Sequence, residues 1–335
     1  MPGSRYAGHE ELLRDLFGAA QVTVDDGAVT VDGRRLPVVD DVIIALAPDR
    51  LPPTVRERLG GDVAEGGSSG AFAADVQAGF GDEWTSHPDI LPEHEAEFAA
   101  YFDLVALEAL GGARVGDLGC GIGRWSHFLA GRCKEIVLVD FSEAIFVARR
   151  NLAAADNAVF VMADVLDLPF RDDAFDLVVC LGVLHHLPVN ALDAVRSLAR
   201  LARRHLVYLY YALDNRPAYF RGALRAVTAV RERLARVRSP RVRSAVTSAL
   251  AATLYVPAGQ LGRTRLARHV PLAETYAGKS FARLRQDAYD RFFTSIEQRF
   301  PRDEILGLRD TFAAVTVSEG LPYWHFLCER ATSPG

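Results

Sequence analysis

The chain has 335 residues, of which 50% are hydrophobic, and carries a formal net charge of −5 at pH 7. This length and apolar content allow a large buried core, so we expect a soluble, globular protein with one sizeable α/β domain and appended segments. The four cysteines form no C-x-x-C pair, which argues against a zinc site and a disulfide framework and favours a reducing, cytoplasmic location.

The N-terminal residues 1–60 are predicted to form a small β-rich module. The first fourteen residues are polar and charged and lack the apolar stretch of a signal peptide, so secretion is not expected. Short runs of alternating apolar residues at 22–24 and 28–31 are separated by an Asp-Asp-Gly turn, and an Asp-Gly turn follows them. This pattern predicts a β meander.

Residues 71–112 are predicted to form a helical cap on the next domain. A linker rich in Gly and Ser, at 60–70, separates the cap from the β module. The cap begins with an irregular stretch that contains Phe80 and Trp84, and it continues as a helix from Glu93. The apolar residues of this helix recur at helical spacing, at Phe98, Tyr101, Phe102, Val105 and Leu110.

Residues 113–213 show the alternation of strands and helices that predicts a parallel, doubly wound sheet. Continuous apolar runs, typical of strands covered on both faces, alternate with helical patterns at 142–153 and 191–202. Strands are predicted at 136–139, 159–161, 175–181 and 205–210. We therefore expect a Rossmann-like α/β core.

Residues 214–302 interrupt this core with helical, arginine-rich sequence that prolines divide into segments, and we interpret them as a lid over the substrate. Strand patterns return only at 311–317 and 323–328. Residues 303–335 are therefore expected to complete a seven-stranded, mostly parallel sheet with an antiparallel C-terminal hairpin.

Basic charge is concentrated in and around the lid, because residues 196–302 hold 22 Arg or Lys and 6 Asp or Glu. Such a segment could meet phosphate, an anionic lipid or an acidic substrate, but we favour a solvated face of arginine-rich helices. Residues 244–262 carry no formal charge, which raises a membrane-surface role. Their small side chains and Pro257 make a poor span, so we expect buried lid helices and no membrane partner.

A glycine-rich loop at residues 115–124, V-G-D-L-G-C-G-I-G-R, joins the first core strand to a helix. Glycine permits positive φ there and lets backbone N–H groups approach a nucleotide-type cofactor closely. Asp117 ends this strand, and Asp140 ends the next one about twenty residues later. A dinucleotide-binding oxidoreductase also combines such a loop with a later acid, but Ser126 occupies the place where that fingerprint has Gly or Ala.

Two further motifs follow in order, Met-Ala-Asp-Val at 162–165 and F-D-L-V-V-C-L-G-V-L-H-H-L at 175–187. With the glycine loop, Asp117 and Asp140, they resemble class I S-adenosylmethionine-dependent methyltransferases of the ubiquinone/menaquinone type over residues 113–201. The resemblance implies S-adenosylmethionine as methyl donor, S-adenosylhomocysteine as its product, and no metal.

The resemblance also implies which residues bind the cofactor. Asp117 is expected to hold the amino group of the methionine moiety, Asp140 the ribose hydroxyls and Asp164 the adenine amino group. Phe141 either flanks the adenine or belongs to the core. The complete set of expected cofactor-binding residues is Asp117, Gly119, Cys120, Gly121, Gly123, Asp140, Phe141, Ala163, Asp164, Val165, Cys180, Leu181 and Gly182.

The β module resembles, at residues 35–42, the small zinc-ribbon-like module that precedes some methyltransferase domains. The metal-binding cysteines of that module are absent from this sequence. We therefore expect the module to be held together by packing and assign it no metal.

His185 and His186 are candidate catalytic residues, because imidazole can take a proton from a hydroxyl or amine acceptor near neutral pH. In the family that the sequence resembles, such a histidine also packs near the cofactor or caps the following helix, so both roles stay open. Methyl transfer itself mainly requires in-line alignment of the acceptor in a dry pocket.

Cap and lid supply the candidates for binding the acceptor. Trp84 belongs to an F-G-x-x-W segment that resembles a segment folded over the cofactor in some relatives, and a core position is the alternative. In the lid, Tyr276, Asp287 and Tyr289 are candidate catalytic residues. Tyr276 and Tyr289, with Trp84, are also candidate substrate-binding residues, although ordinary helix packing explains them equally well.

The sequence thus predicts a methyltransferase that modifies O, N or C of a small-molecule acceptor, which we expect to be a specialised metabolite. A methyltransferase of tRNA or another macromolecule is an alternative suggested by the arginines, but no recognisable RNA-binding module supports a nucleic-acid partner. A cofactor-binding regulatory protein without activity is a second alternative. We expect a monomer or homodimer.

Overall fold

The computed structural model describes residues 4–60, 71–234, 237, 239–271 and 273–331. Apart from residue 60, the predicted glycine- and serine-rich linker lies outside them. In the described part of the chain, eleven strands form one mixed sheet. They are β1 (Val22–Val24), β2 (Ala28–Val31), β3 (Arg34–Val39), β4 (Val42–Ile44), β5 (Arg114–Leu118), β6 (Glu135–Asp140), β7 (Ala158–Met162), β8 (Phe175–Leu181), β9 (Ala202–Tyr208), β10 (Ala314–Val317) and β11 (Phe326–Glu329).

The strand order across the sheet is β1-β2-β3-β4-β7-β6-β5-β8-β9-β11-β10. From β4 to β9 in this order all neighbours are parallel, whereas β11 is antiparallel to both β9 and β10. The expected parallel core and antiparallel C-terminal hairpin are thus confirmed. Parallel strands align their carboxyl ends at one edge, which is where open α/β sheets bind ligands.

The expected count of seven strands is wrong, because the N-terminal meander continues the same sheet. Strand β4 consists of Val42, Ile43 and Ile44, which are all buried, and it pairs in parallel with β7. Strand β3 pairs antiparallel with β4, and β2 and β1 follow outward. A short strand that is apolar on both faces needs a layer on each side, and the edge of the parallel sheet provides both.

Helices cover the sheet and form the cap and the lid. Along β6, Ile136 and Leu138 belong to one hydrophobic cluster and Val137 and Val139 to another, as expected for a strand covered on both faces. The α-helices are α1 (Glu10–Phe17), α2 (Pro53–Arg58), α3 (Ala74–Ser86), α4 (Glu93–Tyr101), α5 (Arg124–Leu129), α6 (Ala144–Asn151), α7 (Ala191–Leu198), α8 (Ala218–Leu234), α9 (Pro240–Leu250), α10 (Val256–Leu261), α11 (Ala273–Tyr276), α12 (Phe281–Phe293) and α13 (Arg302–Leu306).

Helix α3 occupies the stretch before Glu93 that we expected to be irregular. Its two glycines disfavour a helix, so local propensity is a poor guide here. Gln77 on α3 donates from Nε2 to the carbonyl oxygens of Arg50 at 3.0 Å and Phe141 at 2.6 Å. These tertiary bonds fix the helix against the β module and the core.

The lid packs around helix α12, which contacts α8, α9 and the π-helical turn Ala251–Tyr255. Ser280 caps α12 by accepting a hydrogen bond from the backbone N–H of Arg283. No helix among the described residues is long and apolar enough to cross a membrane. The lid has its own apolar cluster, with buried Ala251, Tyr255, Tyr276, Leu284, Ala288, Tyr289, Phe292 and Phe293.

Candidate functional site

A cavity of about 610 Å³ lies at the carboxyl ends of the parallel strands and extends between the cap and the lid. The residues that line it come from the loops after β5, β6, β7 and β8 and from helices α3, α4, α8 and α12. Most residues that the sequence predicted for the site line this one cavity. They are Trp84, Gly119, Cys120, Gly121, Asp140, Phe141, Ala163, Asp164, Val165, Leu181, Gly182, His186 and Asp287.

The glycine loop curves around the end of β5 in a conformation that needs glycine. Gly119 has a φ of 75°, and a Cβ atom there would lie 2.4 Å from Val183 Cγ2. Gly121 has a φ of 55°, and a Cβ atom would lie 3.3 Å from Trp84 Nε1. The loop can therefore approach both the segment after β8 and the cap only because these side chains are absent.

Asp140 lies at the end of β6 and faces this loop. Its Oδ2 accepts a hydrogen bond from the N–H of Gly121 at 2.9 Å, and its Oδ1 accepts from the N–H of Ser142 at 2.8 Å. Burial raises the pKa of Asp140, while the hydrogen bonds from Ser142 and Gly121 act to lower it. Oδ1 also accepts from the hydroxyl of Ser142 at 2.6 Å, so the acceptor capacity that Asp140 keeps for the cavity is the second lone-pair direction of Oδ2.

Asp117 supports the loop from behind the cavity wall. It is 1% exposed, and its Oδ2 accepts a hydrogen bond from Ser126 Oγ at 2.6 Å, which joins β5 to α5. Burial raises its pKa to about 6. Gly123 and Cys180 also lie behind the residues that line the cavity. Direct contact of these three residues with a ligand stays a prediction.

Asp164 forms a buried ion pair with a residue that the sequence analysis did not select. Its Oδ2 lies 2.8 Å from Nη1 of Arg50, and both side chains are 6% exposed. Its Oδ1 accepts from the N–H of Leu166 at 2.9 Å. Burial raises the pKa of Asp164, against the lowering effects of Leu166 and Arg50. The turn at Pro48–Arg50, which follows β4, thus places a cation behind the cavity residue Asp164.

The two histidines have different environments. His186 lines the cavity, and its Nδ1 lies 2.7 Å from the carbonyl oxygen of Ile296. A carbonyl only accepts, so Nδ1 carries the proton and Nε2 of the neutral ring is the acceptor. Nε2 has no hydrogen-bond partner among the described residues and lies 3.8 Å from Asp290 Oδ1.

His185 points away from this wall and packs on Tyr210, with ring centroids 3.9 Å apart. Neither of its ring nitrogens has a hydrogen-bond partner in the described part of the chain, and the residue is fully buried. Burial lowers its pKa well below the ordinary value, with a smaller effect from His186. His185 is therefore a neutral packing residue in this structure.

Two of the lid candidates, Tyr276 and Asp287, are joined by a hydrogen bond, and Tyr289 has a separate partner. Tyr276 donates from its hydroxyl to Asp287, which also pairs with Arg283. Asp287 lines the cavity, whereas Tyr276 and Tyr289 are buried behind its lining. Tyr289 accepts a hydrogen bond from Arg243 Nη1 at 3.3 Å. The two tyrosines thus position the lid around the cavity, and direct contact with a substrate stays a prediction.

The cap holds the lid through Glu97 on α4. Its carboxylate accepts from Lys279 and, at 2.9 Å, from Nε of Arg283. Glu93 accepts from the N–H of Ser280 at 3.0 Å. Burial acts to raise the pKa of Glu97, but the two basic residues hold it well below its usual range. These contacts close the cavity between cap and lid.

Sequence reasoning also missed Glu83 and Arg124 on the cavity wall. Arg124 directly follows the glycine loop, and its guanidinium lies 5.6 Å from the ring centroid of Trp84. Glu83 is 1% exposed, and burial, followed by the charges of Asp290 and Asp287, raises its pKa well above the ordinary value. The sequence could have identified Arg124 as a cavity residue, because it directly follows the glycine loop. Nothing in the sequence marks Glu83 as one.

This arrangement defines the class of protein. A parallel sheet ends in a glycine loop at positive φ, a carboxylate on the next strand faces that loop, and both open on a cavity covered by a lid. Such an edge binds a nucleotide-type cofactor and brings a second molecule to it. No group of residues suited to a metal ion occurs in the part of the chain that the structure describes.

Comparisons with known proteins identify the family of this core. Residues 115–205 match the family model of a methyltransferase domain. A demethylmenaquinone methyltransferase of Clavibacter sepedonicus is 46% identical over 74 residues, which are 22% of this chain and 30% of that protein. A ubiquinone biosynthesis O-methyltransferase of Hahella chejuensis is 28% identical over 140 residues, 41% of this chain and 58% of that protein.

A chloroplastic tocopherol O-methyltransferase of Arabidopsis thaliana is 38% identical over 94 residues, which are 27% of each chain. A solved phosphoethanolamine N-methyltransferase of Haemonchus contortus, bound to phosphoethanolamine and S-adenosylhomocysteine, is 21% identical with a TM-score of 0.35 over 40% of this chain and 32% of that one. The matches to the three curated relatives thus span 27% to 58% of their lengths. Residues 115–205 are therefore assigned to the methyltransferase domain family, and this core is similar to quinone methyltransferases of the ubiquinone/menaquinone type.

Proposed function

We propose that the chain transfers a methyl group from S-adenosylmethionine to a hydroxyl of a small-molecule acceptor bound between the core and the lid. The observation that carries this proposal is the continuity of one cavity, from Asp140 and its bond to the glycine loop to the lid residues around Asp287. Curated relatives named as O-methyltransferases of ubiquinone biosynthesis and of tocopherol support a small hydroxylated acceptor.

The residues of the cavity fit the cofactor. Asp140 would accept from the ribose hydroxyls, and Phe141 and Val165 would flank the adenine. A Cβ atom on Gly182 would meet nothing within 4 Å, so this strand end leaves open space in front of the cofactor. Arg124 is placed after the glycine loop to pair with the methionine carboxylate. The bound cofactor supplies an activated methyl group on a sulfonium.

At the other end of the cofactor site, Asp164 would accept from the adenine amino group while Arg50 neutralises its charge. A carboxylate with an arginine partner stays ionised in a buried site, and so remains an acceptor. This role makes the N-terminal strands a part of the proposed cofactor site, in addition to their place in the sheet.

His186 is the group we assign to proton removal from the acceptor. Ile296 fixes the proton on Nδ1, which leaves Nε2 free to accept the hydroxyl proton as the oxygen attacks the methyl group. Asp290, 3.8 Å from Nε2, would stabilise the imidazolium that results. Tyr210 donates to the other oxygen of Asp290 at 2.8 Å and orients it.

Cap and lid would exclude water from the reaction. Phe80 lies against His186 with ring centroids 5.2 Å apart, and Trp84 covers Gly121. The contacts of Glu97 with the lid hold this arrangement closed. A dry site prevents hydrolysis of the donor and strengthens the interaction of Asp290 with the imidazolium.

The experiment is incubation with trideuteromethyl S-adenosylmethionine and a panel of phenols, catechols and hydroxyquinones, followed by mass spectrometry. We expect at least one acceptor to gain a trideuteromethyl group, at a rate that falls at least about a hundredfold in His186→Gln. An exposed residue on the same core, Asp156, provides the control Asp156→Asn, which should keep full activity. Cofactor binding without transfer to any member of the panel would contradict the proposal.

A further inference from the structure

The lid side of the cavity contains an arginine whose charge has no carboxylate partner. The arginine and lysine residues that line the cavity are Arg124, Arg216, Lys279, Arg283, Arg291 and Arg299. Four of them have a carboxylate oxygen within 4.0 Å. Arg124 instead lies 4.3 Å from the ring centroid of Trp125. Arg291 has neither kind of partner among the described residues.

The acid that precedes Arg291 by one helical turn already has hydrogen-bond partners. Asp287 stands one turn earlier on α12, but its two oxygens are taken by the hydroxyl of Tyr276 and by Arg283. The hydrogen bond of Arg291 Nη2 to Tyr276 Oη is long, at 3.5 Å, and Nε has no partner in the described structure. Asp287 therefore pairs directly with Arg283, whereas Arg291 has no carboxylate oxygen within 4.0 Å among the described residues and meets Asp287 only through longer-range attraction.

The neighbouring acid in sequence serves another group. Asp290 accepts from Tyr210 and lies 3.8 Å from His186. Burial acts to lower the pKa of Arg291, but electrostatic interactions with Tyr276, Tyr255, Tyr210 and Asp287 raise it well above the usual value. An arginine side chain stays charged in proteins, and Arg291 is a half-buried charge on the cavity lining that no ion pair completes, which leaves it able to pair with an anionic ligand.

Two other polar groups of the lid also lack hydrogen-bond partners among the described residues. The hydroxyl of Tyr255 and Oε1 of Gln286 are buried, line the cavity and have no hydrogen-bond partner among the described residues. Buried polar atoms are satisfied in the great majority of cases. Three such groups that line one cavity point to a polar ligand that binds in it. Next to them the wall is apolar, with Phe220, Leu224, Val227 and Leu254.

We propose that the acceptor is an amphipathic acid whose carboxylate pairs with Arg291, while its apolar body packs against α8 and its hydroxyl faces His186. A guanidinium presents a planar fork of donors that matches a carboxylate, so the pairing selects acids over neutral molecules of equal shape. This inference rests on the proposed function, because it describes the acceptor of the same site.

The test compares matched probes by calorimetry at saturating S-adenosylhomocysteine. The probes are 4-hydroxycinnamic, 3,4-dihydroxycinnamic, 4-hydroxybenzoic and 10-hydroxydecanoic acid, each with its primary amide. We expect at least one acid to bind the wild-type protein about tenfold or more tightly than its amide. Arg291→Met should abolish that preference while leaving the affinity for the amide and for S-adenosylhomocysteine within about twofold. Arg291→Lys should keep part of it.

The control is Arg225→Gln, on the exposed side of α8, which should keep the full preference. The inference is wrong if no acid binds more tightly than its amide, or if Arg291→Met keeps the preference. It is also wrong if Arg291→Met weakens S-adenosylhomocysteine instead, because Arg291 would then hold the carboxylate of the cofactor. The wild-type comparison is repeated without S-adenosylhomocysteine, so that a failure of cofactor binding, which would refute the proposed function, is distinguished from a failure of this inference.

Discussion

The ion pair between Arg50 and Asp164 ties the N-terminal strands to the core end of the cavity, and its removal should be costly. We consider Arg50→Met, Asp164→Asn and the double variant. The charged atoms are 2.8 Å apart and both side chains are 6% exposed. At an effective dielectric constant of about 20, the attraction at this distance is about 6 kcal/mol.

Desolvation of the two charges offsets several kcal/mol of this attraction. We therefore expect each single variant to lose about 3 kcal/mol of unfolding free energy, because it removes this attraction while the remaining charge stays desolvated. The double variant should lose less than the sum of the two losses, by about 2 kcal/mol, since both charges and their desolvation costs are removed together.

The assay is urea denaturation of the four proteins, followed by circular dichroism, from which the coupling free energy is obtained. The control is the same cycle on Arg196 and Asp310, an ion pair at 2.9 Å whose side chains are 32% and 56% exposed. Its coupling should be much smaller, because solvent screens it. Additive losses at Arg50 and Asp164 would show that the two charges do not stabilise each other.

Three further predictions concern the loop, the lid and the base. Gly121→Ala should weaken the binding of S-adenosylhomocysteine about tenfold in calorimetry, because the φ of 55° at Gly121 and the approach of Trp84 disfavour a side chain. Glu97→Gln should lower the unfolding free energy by about 2 to 3 kcal/mol in urea titrations. The folded pKa of Glu97 is depressed, so its contribution is present above the unfolded pKa of about 4 and is lost as the pH falls. His186→Gln should lower kcat while leaving S-adenosylhomocysteine affinity unchanged.

Matched variants and contrary outcomes sharpen these predictions. A Cβ atom on Gly131 would meet nothing within 4 Å, so Gly131→Ala should bind S-adenosylhomocysteine normally, and equal effects at both glycines would contradict the role of the loop. If the difference in unfolding free energy between Glu97→Gln and the wild type is the same at pH 3 and at pH 7, the lid does not depend on the charge of Glu97. His185 provides the control for the proposed base, His186. His185→Phe should keep kcat within about threefold. Equal losses of kcat in His185→Phe and His186→Gln would indicate that both histidines act through packing.

The parts of the fold with a clear sequence signal were those that are regular over a whole element. Strands β6, β7 and β8 are continuous apolar runs, and a layer on each face is the only environment that buries them. The short run Val42 to Ile44 has the same composition, but three residues are too few to distinguish a strand from a turn. Helix α3 depends on the contacts of Gln77 with distant carbonyls, which no local pattern encodes.

The candidate site likewise contains residues that the sequence could predict and residues that it could not. Asp140 and the glycine loop could be predicted, because a strand end and the following turn place them by local chain geometry. The partnership of Arg50 with Asp164 could not, since 114 residues separate the two in sequence. The choice between His185 and His186 likewise required the structure, because adjacent residues point in different directions and only one lines the cavity.

The most direct test of the account is calorimetric titration of S-adenosylhomocysteine into the wild-type protein and Asp140→Asn. Asn keeps the shape of Asp140 but removes the charge that would accept from the ribose hydroxyls. We predict binding of one cofactor per chain to the wild type, weakened about ten- to a hundredfold in Asp140→Asn. An absence of binding to the wild type, or equal affinity in both proteins, would contradict the assignment of this cavity to the methyl donor.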